Sequence, residues 1–236
     1  MAFVLITATA TEAAEVFTAP EATSKARLQG FFEGQCGFDI AEHRYRFAAK
    51  GQYRSSSFGA AESKGKWKIE RSTLVVQARG RGGPCDDPDH CPDTWPDNFR
   101  WSKLKLAKGG LLTFDGPWGA MAVLCRPAAS CASGAPPNCV ETDAIQIRPG
   151  HSDTGLFDAV TKAVSAKKFE LGAPVALGPR TKNARDTSEV WFVEDAATAR
   201  HVAKKLEATI GKVKPKEWKW GGPYRVIVIV GKKAAR

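Results

Sequence analysis

After the N-terminal stretch, no apolar run reaches the about 18 residues that a membrane-spanning helix needs, so no such helix is expected. Catalytic signatures are also missing. There is no GxSxG to set a serine on a sharp turn, no GxGxxG opening a helix and no phosphate-cradling GxxxxGK[ST]. The chain therefore offers neither a nucleophile elbow nor a familiar nucleotide loop. Histidines number only four, and His43, His151 and His201 each stand without a carboxylate and a thiol at local spacing, which reads as structural. Cysteine is absent from a whole half of the chain: all six lie between Cys36 and Cys139.

What is there fits a folded protein of two units. A chain of 236 residues with 43 % apolar and 25 % charged residues can build a core, and its length suits two domains of ordinary size. The formal net charge is +10. Residues 140 to 236 hold 18 Lys and Arg against 11 Asp and Glu, a balance of +7, while the rest hold 17 against 14, a balance of +3. Such an excess attracts anionic polymers, acidic lipid or nucleic acid, or forms only a solvated face.

An even cysteine count confined to one half predicts a disulfide-bearing domain followed by one without bridges, in an oxidising compartment. Cys36, Cys85, Cys91, Cys125, Cys131 and Cys139 are the candidates, and sequence leaves their pairing open. Ala2 to Ala10 has the length of a signal-peptide apolar region, with Thr11-Glu12-Ala13 after it, but lacks a basic segment in front. The expected location is periplasmic or secreted, with residues 1–26 a leader or N-terminal tail.

Residues 27–126 read as short strands broken by glycine: LQGFFEG, AEHRYRFAAKGQYRSSS, GKWKIERSTLVVQARG, FRWSKLKLAKGG and LLTFDGPWGAMAVLCR. In Lys66-Trp67-Lys68-Ile69-Glu70 and Lys103-Leu104-Lys105-Leu106 apolar and charged residues alternate with period two, as in a strand with one wet face. Strands at this spacing predict a small barrel or sandwich. Gly51-Gln52-Tyr53, then Gly65-Lys66-Trp67-Lys68-Ile69 and Leu74-Val75-Val76, resemble the small lipocalin-like or calycin-like barrels of secreted bacterial proteins. That resemblance implies a barrel, and one so short is expected to have a filled interior.

Between strands, Pro84-Cys85-Asp86-Asp87-Pro88-Asp89-His90-Cys91-Pro92-Asp93 gathers two thiols, an imidazole and four carboxylates. Cys85, Asp86, Asp89, His90 and Cys91 are metal-ligand candidates by residue type, yet their spacing matches neither a zinc knuckle nor a calcium loop. A Cys85–Cys91 bridge pinning an acidic loop is the competing reading. No cofactor is expected.

Arg126 to Asn138, rich in Ala, Ser, Gly and Pro, reads as a linker, taken as residues 127–141. Cys131 and Cys139 could close it into a ring or tie it back to Cys125. From residue 142 the pattern is β-α-β-β-α-β: strands at Asp143 to Arg148, Phe169 to Leu177, Ser188 to Glu194 and Tyr224 to Gly231. Helices follow Asp153 and Asp195 as N-caps, the second stopped by Gly211. The nearly all-apolar last strand is expected at the sheet centre. This order predicts a four-stranded antiparallel sheet with two helices on one face, so the fold class is α+β, a β-rich barrel or sandwich followed by a two-layer βαββαβ domain.

Three stretches of this half, Asp186-Thr187-Ser188-Glu189-Val190-Trp191-Phe192, then Asp195 to Leu206, then Val226-Ile227-Val228-Ile229-Val230-Gly231, resemble the C-terminal domain of LytR-type cell-envelope proteins. The chain carries Arg148-Pro149-Gly150-His151-Ser152 where that family usually has an Asn-Gly-rich turn. The resemblance implies an envelope location and a binding or scaffolding role without chemistry. SPOR-type peptidoglycan-binding modules and many RNA-binding sheets share the element order, but YRVIVIVG lacks the paired exposed aromatics that stack bases.

Lys212 to Trp220 interleaves cations with two tryptophans, so Lys214, Lys216, Trp218, Lys219 and Trp220 form a candidate ligand surface, or else an edge strand with tryptophans inward. The expectation is an exported, envelope-associated binding protein whose partner is an anionic envelope polymer or a protein. The alternatives are a metal-dependent or thiol-active enzyme centred on the Cys85 to Cys91 loop, and a nucleic-acid-binding protein using the basic half.

Overall fold

Alternating side chains give the first half its barrel. The computed structural model describes residues 15–18, 21–57, 61–82, 94–128, 130–132, 134–166, 171–219 and 222–235. In chain order the first elements are β1 (Val16–Phe17), β2 (Glu21–Ala22), helix α1 (Lys25–Glu33), β3 (Phe38–Ile40), β4 (His43–Ala48), β5 (Gln52–Ser57) and β6 (Glu62–Glu70). They continue as β7 (Thr73–Arg81), β8 (Trp95–Pro96), β9 (Phe99–Leu106), β10 (Leu111–Gly116), β11 (Gly119–Cys125) and β12 (Cys139–Glu141). Strands run β9-β10-β11-β12-β3-β4-β5-β6-β7, and β7 pairs back onto β9, which closes the barrel.

The stretch LQGFFEG, expected as a strand, is instead part of α1. The Ser24 side chain caps it by accepting the Arg27 N–H, and Leu28 and Phe32, one turn apart, are both fully buried. Local capping and an i, i+4 apolar pair outweigh the β-propensity of two adjacent phenylalanines. Phe32 enters one end of the barrel, its ring 5.2 Å from Phe38, 5.1 Å from Phe47 and 5.9 Å from Trp67. Trp101, 1 % exposed, stacks on Phe114 at 4.5 Å and completes the filled middle.

Gly65 of the GxW motif is required by packing. A Cβ there would lie 2.1 Å from the Gln77 carbonyl oxygen and 2.5 Å from the Ala78 Cα of the neighbouring strand.

The second half builds β13 (Ile145–Pro149), α2 (Gly155–Val164), β14 (Val175–Leu177), β15 (Glu189–Phe192), α3 (Ala196–Ile210), β16 (Lys216–Glu217) and β17 (Val226–Val230). Its sheet is mixed rather than antiparallel, in the order β1-β14-β13-β17-β15-β16. β13 runs parallel to both β14 and β17, and only β15 against β17 is antiparallel. Helices returning the chain across the sheet permit parallel neighbours, and side-chain periodicity carries no information on direction. As expected, β17 is central and buried on both faces. Asp195 caps α3 by accepting the Thr198 N–H at 2.9 Å. Gly211 ends it at φ +78°, where a Cβ would meet the Ala235 carbonyl oxygen at 1.8 Å. The cap of α2 is Thr154 rather than Asp153, whose carboxylate still accepts the Gly155 N–H. Of the strand expected over Phe169 to Leu177, Val175–Leu177 is strand and residues 171–174 are not, while residues 169 and 170 lie outside the described residues.

One face of this sheet, through Ile145, Ile147, Val226, Val228 and Val230, packs with Val160 and Val164 of α2 and Val202 and Leu206 of α3. The other face meets the barrel wall: Phe17, Ala176 and Tyr224 cluster with Leu111, Ala122 and Leu124. Within the expected linker, residues 139–141 form barrel strand β12. Short β1, in the span read as leader or tail, lies along β14 in the second sheet.

Among the described residues two disulfides stand on the barrel, joining Cys36 to Cys131 and Cys125 to Cys139. Cys131 bonds neither of the partners weighed from sequence. Strand pairing sets Cys139 directly opposite Cys125, with Cα atoms 3.9 Å apart, which leaves Cys131 to reach Cys36. Cys85 and Cys91 lie outside the described residues.

Candidate functional site

In β4, β5, β6 and β7 side chains alternate between the barrel interior and an outer face rich in arginine and lysine. Register then decides which charges meet. Arg46 pairs with Arg54, Arg54 with Lys64, and Lys64 with Arg79, so four cations stand opposite one another in a row across four strands. At a strand spacing of about 4.8 Å the row spans about 14 Å. Directly opposed like charges destabilise a sheet. In the next row Arg44 lies opposite Asp39 on one side and Ser56 on the other, and Glu62 lies opposite Arg81. Arg44, Arg46, Arg54 and Lys64 share a shallow depression of about 200 Å³ with Glu62 and three serines. The single carboxylate is shared, 3.8 Å from both Lys64 and Arg81, on exposed side chains where such pairs contribute little. Arg46 also donates to the Ala135 carbonyl oxygen at 3.2 Å.

On the inner side of the same strands, side-chain size falls toward the end opposite α1. Phe47 pairs with Tyr53, but Tyr45 pairs with Ser55, Ser55 with Ser63, and His43 with Ser57. This change from rings to hydroxyls leaves a mouth of about 310 Å³ lined by His43, Tyr45, the three serines, Trp95, Asp97, Asn98, Phe99 and Trp118 among others. Trp118, on the turn between β10 and β11, is 55 % exposed and stacks on His43 at 5.8 Å. Below the mouth, the Tyr53 hydroxyl is buried close to Ser55 and has no hydrogen-bond partner of good geometry among the described residues. Burial pushes the Tyr45 and Tyr53 phenols well above their ordinary range, and the Asp97 carboxylate adds to both shifts.

The structure places the residues expected at Lys214 to Trp220 on the far edge of the second sheet. Lys214, Lys216 and Lys219 are exposed, Trp218 is half-buried, and Trp220 lies outside the described residues. Trp218 packs edge-on against Trp191 at 5.3 Å, and Lys216 lies 5.3 Å over the Trp191 ring. Lys216 also stands 3.8 Å from Glu189, which accepts from the Trp191 indole and from Arg185. Lys216 is thus engaged within the protein. Cys85, Asp86, Asp89, His90 and Cys91 all lie outside the described residues, and among the described residues no cluster of three or more metal-ligating side chains occurs.

Sequence reasoning placed the basic excess in the second half and missed the cation row, which exists only once register is known. The signal available was the outward arginines and lysines of HRYRFA, QYRSSS, ESKGKWKIE and QARGR.

Compared with protein families, with curated proteins and with solved structures, the chain finds no match in any of the three.

Proposed function

We propose that the protein is an exported, envelope-associated binding protein without catalytic activity, and that its barrel wall holds an anionic envelope polymer. The observation that carries this reading is the row Arg46–Arg54–Lys64–Arg79, four opposed cations that cost the free sheet stability and that a polyanion would neutralise together. Two disulfides on the barrel suit an oxidising compartment. No helix among the described residues is long and apolar enough to cross a membrane. The likeness of the second half to LytR-type C-terminal domains points to the same location.

The test is binding of poly(glycerol phosphate) at several salt concentrations, with single-stranded DNA of equal charge and neutral dextran as comparisons. Four released counterions give a log–log salt slope of about −2.8, and Arg54→Gln makes it shallower by about 0.7. Tight, salt-steep binding to the glycerol phosphate polymer supports the reading. Salt-independent binding, indifference to Arg54→Gln, or a clear preference for DNA overturns it.

A further inference from the structure

The barrel mouth is a second depression, opening on the inner side of the strands and sharing Ser55 and Ser63 with the one that the cations line. Most of the interior is filled by rings, yet here three inward positions, Ser55 and Ser57 on β5 and Ser63 on β6, are small hydroxyls, and a cavity of about 310 Å³ remains. That volume lies at the small end of ligand pockets. Its polar groups converge: the serines both donate and accept, Asn98 brings an amide, and Asp97 brings a carboxylate that pairs with no cation among the described residues. At the rim Trp118 has one neighbour ring among the described residues, His43 at 5.8 Å and 21°, and more than half of its surface faces solvent. A bulky indole at the tip of a tight turn gains nothing from water there, and its exposed face is a platform for a flat partner.

From this geometry we infer that the mouth binds a neutral sugar ring, its C–H face on Trp118 and its hydroxyls on Ser55, Ser57, Ser63, Asn98 and Asp97. An apolar ligand would strand these polar groups without partners. An organic cation would use Asp97 and the rings but not the serine donors, and it would approach a wall whose outer face carries Arg44, Arg54 and Lys64. The inference does not rest on the polyanion reading, since it needs no charge on its ligand, although Ser55 and Ser63 also border the cation-lined depression.

The experiment is calorimetric titration of the full chain with glucose, N-acetylglucosamine and their β-1,4-linked disaccharides, with tetramethylammonium as the cationic comparison. Saturable binding of at least one sugar is expected, insensitive to salt. Trp118→Ala, at an exposed position, weakens it about tenfold. Ser55→Val with Ser57→Val, checked for a native circular-dichroism spectrum, abolishes it. Absence of binding by all four sugars, equal binding by Trp118→Ala, or saturation by tetramethylammonium in place of sugar overturns the inference.

Discussion

Replacing Arg54 by glutamine should make the free protein more stable. Arg54 stands between Arg46 on β4 and Lys64 on β6, directly opposite both. Opposed side chains have Cβ atoms about 5 Å apart, and each such pair is worth roughly 0.2–1 kcal/mol, unfavourable for like charges. Removing both contacts while keeping the side-chain stem gains about 1 kcal/mol at low ionic strength. For a chain of 236 residues this is a rise of about 2–4 °C in Tm. Thermal unfolding followed by circular dichroism in 10 mM and in 1 M sodium chloride gives the reading. The screening length falls from about 30 Å to about 3 Å between these conditions, so the gain should shrink toward zero in high salt. A lower Tm for Arg54→Gln at low salt, or a gain that persists in 1 M salt, would refute the reasoning, because the row would then not be a site of electrostatic strain.

Alkali should unfold the protein before its tyrosines ionise. Burial holds Tyr45 and Tyr53 far above their ordinary value and lifts Tyr224 to about 12, and these are the chain's three tyrosines. Folding keeps these phenols protonated, so their contribution is complete below pH 10 and is lost as pH rises beyond it. Absorbance at 295 nm should stay flat through pH 10 and then rise together with loss of structure. A smooth titration near pH 10 in the folded protein would contradict this. The two disulfides should differ in weight: chain entropy gives about 4.7 kcal/mol for the 95-residue separation of Cys36–Cys131 and about 3 kcal/mol for the 14-residue separation of Cys125–Cys139. Paired Cys→Ser variants compared in urea should lose stability in that order. Gly65→Ala drives a methyl into the backbone of β7, and a loss of at least about 3 kcal/mol, or failure to fold, is expected in the same assay.

Much of the second half was legible because its signals are local. Asp195, the apolar face of α3 and Gly211 mark a helix by themselves, and the all-apolar Val226 to Val230 announces a strand covered on both faces. Strand direction was not legible, since it depends on how helices carry the chain across the sheet. In the first half, Lys66 to Glu70 betrayed its strand, but barrel closure rests on β7 meeting β9 and β3 meeting β12, contacts no window of sequence contains. The helix over Lys25–Glu33 was hidden by its glycine and paired phenylalanines. Both candidate surfaces lie one step further away, because the cation row and the serine-lined mouth appear only when neighbouring strands are set in register.

Strand β1 gives the molecule a direction in time. Val16 and Phe17 pair with Val175 and Ala176, so a segment made early during synthesis waits for a partner made late. Throughout that interval the barrel strands between them can form and close, because their pairings end at Glu141. The second sheet must then assemble against a finished wall and capture a tail already in place. Its last edge therefore forms by a contact of very long sequence separation, which makes it the slow step of folding and the first place to open.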